Sequence, residues 1–375
     1  AEHIDGVLLT HGHEAHLGAL PFFLERWPVP VYGTAFTLGV LERKMREFEL
    51  DLKLLRRVED FQRVPIGSGE IEAEWIPVTH SIPDACAIAL HTPQGVIVHS
   101  GDFKLDHTPT DGRMTGTRRL KALGKAGVSV LMADSTNVMR PGRTPSEESC
   151  REGLRQAFRQ TEGKLFVALF SSNIQRVQTL LDLAYEEGRM VVVMGRSLDR
   201  NVTVARELKC LKLPDDLFIQ PGEVSLFKPN KVLVLCTGSQ GEEMSALARI
   251  LRREVKGLKI APGDRLVLSS RAIPGNEVAI SRMLDVAARQ GAETLNEELG
   301  PVHASGHASR EDAVELIQTL KPRTLVPVHG TFRNLQAHGR IAESLGWPKE
   351  RVLLLEGGEC LRFRGDRDPE KAGTV

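Results

Sequence analysis

The sequence predicts an α/β protein of two domains, one of them built on a doubly wound parallel sheet. Three observations carry this expectation. Between residues 165 and 290 short apolar runs alternate with longer stretches of helical periodicity, the pattern of parallel strands joined by crossover helices. Apolar runs throughout the chain end in histidine, aspartate or small polar residues, as strands do when a site lies beyond their carboxyl ends. The length, 375 residues, exceeds one ordinary core and fits two domains.

In order along the chain, residues 6–10 read as a short buried strand that ends in Thr10-His11-Gly12-His13-Glu14-Ala15-His16. Residues 17–27 read as a helix interrupted near its start by Pro21, and 35–50 as a helix with apolar residues at helical spacing. Residues 71–78 form a strand ending at Thr79-His80. The runs 86–91 and 96–100 flank Thr92-Pro93-Gln94-Gly95 as a β-hairpin and lead into Gly101-Asp102. Residues 128–133 are a strand ending at Asp134-Ser135-Thr136-Asn137. Thr144-Pro145-Ser146-Glu147 has the form of a helix start, with an N-cap, a proline at the first position and a capping-box glutamate.

The regular stretch then has strands at 165–170, 190–194, 231–236 and 265–268, and helices at 174–187, 201–208, 242–253 and 276–290. Its strands end in Ser171-Ser172-Asn173, Thr237-Gly238-Ser239 and Ser269-Ser270. None of these is a phosphate loop or a dinucleotide fingerprint. From Pro301 the chain holds His303-Ala304-Ser305-Gly306-His307, a helix at 311–320 and a strand at 324–328 that ends in His329-Gly330. A helix at 335–345 follows, then a strand-like segment at 352–363 that turns at Glu356-Gly357-Gly358. The charged tail from residue 364 reads as a linker.

Composition narrows the function classes. Lys+Arg and Asp+Glu both number 49, so overall charge gives no support to a nucleic-acid partner and leaves that to local basic clusters. Arg196, Arg200, Arg271 and Arg333 follow strand ends and are the first of these to test. Five scattered cysteines without a C-x-x-C pair indicate neither a zinc knuckle nor a disulfide framework, and fit reduced cytoplasmic thiols. No run is long enough to span a membrane and no signal peptide is visible. The chain does not begin with Met and starts close to its histidine turn, so an N-terminal part is expected before it.

Six of the twelve histidines, His11, His13, His16, His80, His307 and His329, stand at strand ends or in glycine-flanked turns, and Asp102 has the same placement. Neutral imidazoles converging with a carboxylate are the ligand set of a hydrolytic metal centre, in which a bridging carboxylate, here Asp102, serves two ions. His3, His91, His99, His107 and His338 lack such placement, and His91 and His99 read as surface or packing residues of the hairpin.

Taken together, His11 to His16, His80, Ser100-Gly101-Asp102 and His329 resemble the metallo-β-lactamase fold. Asp134-Ser135-Thr136-Asn137, Ser305-Gly306-His307-Ala308 and Val328-His329-Gly330 resemble motifs A, B and C of its β-CASP nucleic-acid-processing branch, and within it bacterial ribonuclease J. Thr237-Gly238-Ser239-Gln240-Gly241 and Ile273-Pro274-Gly275-Asn276-Glu277 fit the same family. The resemblance implies a metallo-β-lactamase αββα sandwich, at 1–144 and 306–364, with a β-CASP parallel α/β domain inserted at 145–305 and a linker at 365–375. It implies two divalent metals, zinc first and manganese or magnesium as alternatives. His11, His13 and His80 would hold one, His16 and His329 the other, and Asp102 would bridge them.

The resemblance further implies that His307 contacts the scissile phosphate and protonates the leaving oxygen, while Asp134 orients its neighbours. His303, Ala304, Ser305, Gly306 and His307 would lie along the substrate phosphates, and Ser171, Ser172 and Asn173 are weaker candidates for a 5′-phosphate pocket. The implied substrate is single-stranded RNA, preferably 5′-monophosphorylated, cut 5′-to-3′ and also internally, in RNA decay and maturation. Homodimers or tetramers and an RNA-decay complex are implied partners, in the cytoplasm.

The chain departs from the family pattern in one ligand. The pattern has Asp where this chain has Ala15, so weak occupancy of the second metal and a large loss of hydrolysis are expected. The family's first strands, and an Asp motif on them, would precede His3, and a C-terminal domain would follow the tail. A catalytically inactive RNA-binding subunit is the competing reading, supported by Ala15 and opposed by the intact histidines. A small-molecule metallo-hydrolase is a third, opposed by the long α/β insertion.

Overall fold

The computed structural model describes residues 4–212, 215–363 and 369–374, so His3 and most of the junction after residue 363 lie outside the described residues. The chain forms two compact units. One comprises residues 1–107, 113–144 and 306–375, the other residues 108–112 and 145–305.

Up to residue 144 the first unit holds eight strands among the described residues: β1 (Val7–Leu8), β2 (Val31–Gly33), β3 (Leu55–Arg57), β4 (Arg63–Ile66), β5 (Ile71–Pro77), β6 (Cys86–Thr92), β7 (Gly95–His99) and β8 (Val130–Asp134). Strands β1, β2 and β3 make a small parallel sheet. Two short helices follow β1, Glu14–Leu17 and Leu20–Arg26. Pro21 sits in the first turn of the second, where its missing N–H costs nothing, so it starts that helix rather than interrupting one. Leu9, Leu24, Val31, Leu41 and Met45 close the core over this sheet.

The second unit supplies β9 (Leu165–Leu169), β10 (Met190–Met194), β11 (Val232–Cys236), β12 (Arg265–Ser269) and β13 (Glu293–Leu295). They form one fully parallel sheet in the order β10-β11-β9-β12-β13. The inner strands β9 and β11 are buried at every residue, which is why they read as unbroken apolar runs, and the edge strand β13 is short and partly exposed. The helix Arg196–Glu207 begins directly after Gly195, whose φ of 114° turns the chain out of β10; it therefore starts earlier than its apolar residues indicate.

The helix expected to begin at Thr144 begins at Ser149 instead. Stronger partners take both ends of the anticipated capping box. The Thr144 hydroxyl donates to the His307 carbonyl at 2.7 Å, within the first unit. The Glu147 carboxylate pairs with the guanidinium of fully buried Arg176, within the second. Arg176 also donates to the Ser269 hydroxyl and to the Val302 carbonyl, so no solvent-facing cap is formed.

Back in the first unit, β14 (Thr324–Val328) joins β8, and β15 (Glu359–Arg362) pairs antiparallel with β16 (Glu370–Thr374). The described part of the tail is thus a strand rather than a linker. The main sheet has the order β14-β8-β7-β6-β5-β4. β14, β8 and β7 are parallel, and β6 is antiparallel to both β7 and β5. It follows that β5, β7, β8 and β14 all run in one direction. Their carboxyl ends, which carry His80, Asp102, Asp134 and His329, share one edge of the sheet. No helix among the described residues is long and apolar enough to cross a membrane.

Candidate metal centre

At that edge the side chains converge in two groups. His11, His13, His80 and Asp102 each offer a ligand atom within 4.8 Å of the others, and so do Asp102, Asp134, His307 and His329. Asp102 belongs to both, as a bridging carboxylate would. His11 and His13 arrive from the turn after β1, which the indole N–H of Trp75 on β5 ties to the main sheet by donating to the Leu9 carbonyl at 2.9 Å.

The first group consists of buried or half-buried imidazoles poised as neutral ligands. His80 Nδ1 donates to the Gly306 carbonyl at 2.6 Å, which leaves the lone pair on Nε2 facing His13 Nδ1 at 3.1 Å. The His11 ring meets the Thr10 hydroxyl through Nδ1 at 3.0 Å, while its Nε2 is buried with no hydrogen-bond partner, 3.5 Å from Asp102 Oδ2. A buried unpartnered ring nitrogen costs free energy unless something fills the space it faces. With three imidazoles and a carboxylate around that space, a divalent cation fits the donor chemistry. Gly306 can approach His80 this closely only because it lacks a side chain; a Cβ there would lie 2.7 Å from Nδ1.

The second group is held differently. His307 Nδ1 donates to Asp134 Oδ2 at 2.8 Å, and Asp134 Oδ1 accepts from the Thr136 N–H at 2.9 Å and hydroxyl at 2.7 Å. His329 Nδ1 lies 3.4 Å from Asp134 Oδ1 and 3.7 Å from Asp102 Oδ1. Its backbone is left-handed, with φ 54°, a conformation that costs a non-glycine residue about 1–2 kcal/mol and is found at functional sites. The rings of His16, His329 and His307 stack in series, with centroids 5.6 and 5.5 Å apart. His16 Nε2 contacts Asp102 Oδ2 at 3.2 Å, but His16 is not a member of the second group, where Asp134 and His307 stand with His329.

The charges follow from burial and these contacts. Burial pushes His11 and His80 well below the ordinary value and His13 down to about 3. Burial alone would raise both carboxyls. The His16 hydrogen bond, and after it the electrostatic interaction with His80, bring Asp102 to about 2, and hydrogen bonds from His307 and His329 hold Asp134 well below the carboxylate range. The Asp134 hydrogen bond raises His329.

These shifts fix a sign for stability against pH. In unfolded chain His11, His13 and His80 take up protons below the ordinary 6.5, but in the folded protein they resist, so acid favours unfolding. Each contributes up to about 1.4 kcal/mol per pH unit. Asp102 and Asp134 act in the same direction, their stabilisation being lost below about pH 4. His329 alone opposes, since its raised value stabilises the folded protein at low pH. Metal-free protein is therefore expected to show a melting temperature that falls steadily from pH 6.5 to pH 4. A melting temperature flat over that window would contradict the neutral, buried assignment.

The other singled-out residues are placed as follows. Gly306 and His307 belong to the first unit, and His303, Ala304 and Ser305 to the second. Asn173 is buried, and its side chain caps the helix Ile174–Glu186 by accepting from the Arg176 N–H at 3.0 Å. The Ser171 carbonyl accepts from Asn201, and the Ser171 and Ser172 side chains are half-buried. Arg271 is engaged by Glu297 at 2.7 Å, whereas Arg196 and Arg333 are exposed. Ala15 is exposed in the helix Glu14–Leu17, and the adjacent Glu14 is no substitute ligand, because Lys44 holds its carboxylate at 2.6 Å. His91 pairs with Glu74 at 2.8 Å and His99 accepts the Gly101 N–H at 3.0 Å, both as packing residues. His338 is buried against the Ser135 hydroxyl at 2.9 Å.

Sequence reasoning missed the threonines that brace the site, Thr10, Thr79 and Thr136. The available signal was adjacency, since Thr10-His11 and Thr79-His80 place a hydroxyl immediately before a ligand-type histidine.

Family comparisons agree with this architecture along nearly the whole chain. Residues 1–145 match the model described as beta-lactamase superfamily domain, and residues 162–286 match ribonuclease J, beta-CASP domain. Residues 295–351 match the Zn-dependent metallo-hydrolase RNA specificity domain. The chain belongs to the ribonuclease J family. Ribonuclease J of Mycobacterium tuberculosis is 41% identical over 356 residues, which cover 95% of this chain and 63% of that protein. Ribonuclease J of Helicobacter pylori is 38% identical over 374 residues, 99% of this chain and 54% of that protein. Ribonuclease J2 of Bacillus subtilis is 35% identical, over 97% and 65%. The chain thus spans between half and two thirds of the length of these relatives. A protein of unknown function from Enterococcus faecalis shares the fold, with a TM-score of 0.61 at 20% identity, over 87% of this chain and 75% of that one. The chain is therefore a metallo-β-lactamase domain carrying a β-CASP insert.

Proposed function

We propose that this chain is the hydrolytic part of a metal-dependent ribonuclease that cuts phosphodiester bonds of single-stranded RNA, 5′-to-3′ from 5′-monophosphorylated ends and also internally. The observation that carries the reading is the convergence of His11, His13, His80 and Asp102 around an unpartnered ring nitrogen, beside the Asp134–His307 pair. His11, His13 and His80 with Asp102 would hold one divalent ion, and Asp102 and His329 with His16 a second. The imidazole-rich set favours zinc, with manganese or magnesium as alternatives. Such ions supply an activated water and neutralise charge on the phosphoryl oxygens.

The chain's own groups do the rest. Asp134 fixes the His307 ring through Nδ1–H, and its negative charge supports the doubly protonated ring, whose Nε2–H is the proton handed to the leaving oxygen. Gly306 holds His80 in the ligand tautomer. The turn from His303 to His307 guides the substrate phosphates.

Ala15 favours a second reading, an RNA-binding subunit with little catalysis. Incubation with 5′-monophosphorylated and 5′-triphosphorylated RNA separates the two. Mononucleotides released mainly from the monophosphorylated RNA are the expected result for the nuclease. Binding without products would support the subunit, and neither binding nor cleavage would leave a small-molecule hydrolase.

A further inference from the structure

We infer that Thr79 is a positioning residue that sets the separation of the two chain segments bearing His80 and Asp102; this rests on the metal-centre reading above. His80 follows β5 and Asp102 follows β7, and these strands are not neighbours in the sheet, because β6 lies between them. Ladder hydrogen bonds therefore do not set the His80–Asp102 separation directly. Thr79 does so beyond the strand ends. Its carbonyl accepts the Lys104 N–H at 2.9 Å. Its hydroxyl donates to the Lys104 carbonyl at 2.6 Å and accepts the Asp106 N–H at 3.0 Å. Thr79 and Lys104 thus form an antiparallel bridge closed by a side chain, one residue before His80 and two after Asp102.

The clamp is buried and braced on its far side. Thr79, Lys104 and Asp106 are buried, and Lys104 Nζ pairs with Asp106 Oδ2 at 3.1 Å. The Thr79 N–H donates to the Thr115 hydroxyl at 3.2 Å, and the two hydroxyls lie 3.3 Å apart. Removing the Thr79 hydroxyl takes from the buried Lys104 carbonyl and Asp106 N–H the side-chain hydrogen bonds that tie the two segments together. Metal ligation tolerates displacements of only about 0.2 Å, so a small shift of either segment registers in affinity. Groups one step behind the ligands in other metal sites change affinity about 10–100-fold when removed.

The test is zinc affinity of the full chain, read by competition with a chromophoric chelator, with a thermal melt of each metal-free variant. Thr79→Val is expected to weaken zinc binding about 10–100-fold, and Thr79→Ser, which keeps the hydroxyl, to restore it to within a few-fold of the parent. Thr115→Val is expected to weaken it a few-fold. Thr179→Val, a buried threonine change on the helix Ile174–Glu186, is expected to leave it unchanged. If Thr79→Val does not fold, Thr115→Val decides, and unchanged affinity there overturns the inference. Equal zinc affinity in the parent and a folded Thr79→Val also overturns it. A parent chain that takes up no zinc overturns the metal-centre reading itself, and this inference with it.

Discussion

Replacing Ala15 by Asp is expected to raise RNA cleavage on the order of 10²-fold and to increase bound metal from about one to about two ions per chain. The reason is a missing charge. The first group offers three imidazoles and a carboxylate without residue 15, whereas the second has His329 near two carboxylates that are already engaged. Asp102 is shared with the first group, and Asp134 is engaged by His307 and Thr136. Glu14 is held by Lys44 and does not turn inward. A carboxylate one residue before His16 adds the charge that a second divalent ion needs, and stabilising charge on the phosphoryl group by about 3 kcal/mol corresponds to the stated factor. Metal analysis and initial rates on a 5′-monophosphorylated RNA check both parts. A second ion bound without a gain in rate would place the defect elsewhere.

In that Ala15→Asp background, Asp134→Asn is expected to lower the rate of the chemical step by about 10²–10³-fold while leaving RNA affinity nearly unchanged. Asp134 is buried and charged, and it accepts from His307 Nδ1. An amide of the same shape carries no negative charge to support the doubly protonated ring from which Nε2 would hand over its proton, and it no longer holds the ring as a charged acceptor of Nδ1–H. Single-turnover cleavage beside filter binding separates the two effects. A substrate whose leaving group needs no proton, such as bis(p-nitrophenyl) phosphate, is expected to be far less sensitive. Equal losses on both substrates would assign Asp134 to metal binding instead, an outcome its place in the second ligand group makes chemically sensible.

Much of the site was legible because its residues stand at the ends of strands that the apolar pattern marks clearly. β5, β8 and β14 were each expected within a residue or two of where they lie, and each leads into His80, Asp134 or His329. The short strands β2, β3 and β4 were not expected. Runs of three or four residues with charged members, such as Leu55–Arg57, have too few alternations to show a period, and pairing with a neighbour decides their state. The helix Thr117–Ala126 was also missed; only Leu120 and Leu123 are buried on it, too sparse a stripe to stand out.

The clearest divergence is Thr144. Its local sequence has every mark of a helix start, but its hydroxyl holds the His307 carbonyl, from which it is separated by the whole inserted unit. A local propensity worth about 1 kcal/mol yields where a buried carbonyl requires a partner.

By itself the sequence determined which residues could do chemistry, the order in which strands present them, and the family whose motifs they form. Only the tertiary structure decided that β5, β7, β8 and β14 run one way, so that those residues meet at one edge. It also brought Asp134 and His307 together with His329, while His16 turns to Asp102. The physical reason is that strand direction, side-chain tautomers and second-neighbour hydrogen bonds depend on partners distant in the chain, such as Gly306 for His80 and Lys104 for Thr79. Local periodicity carries no information about those partners.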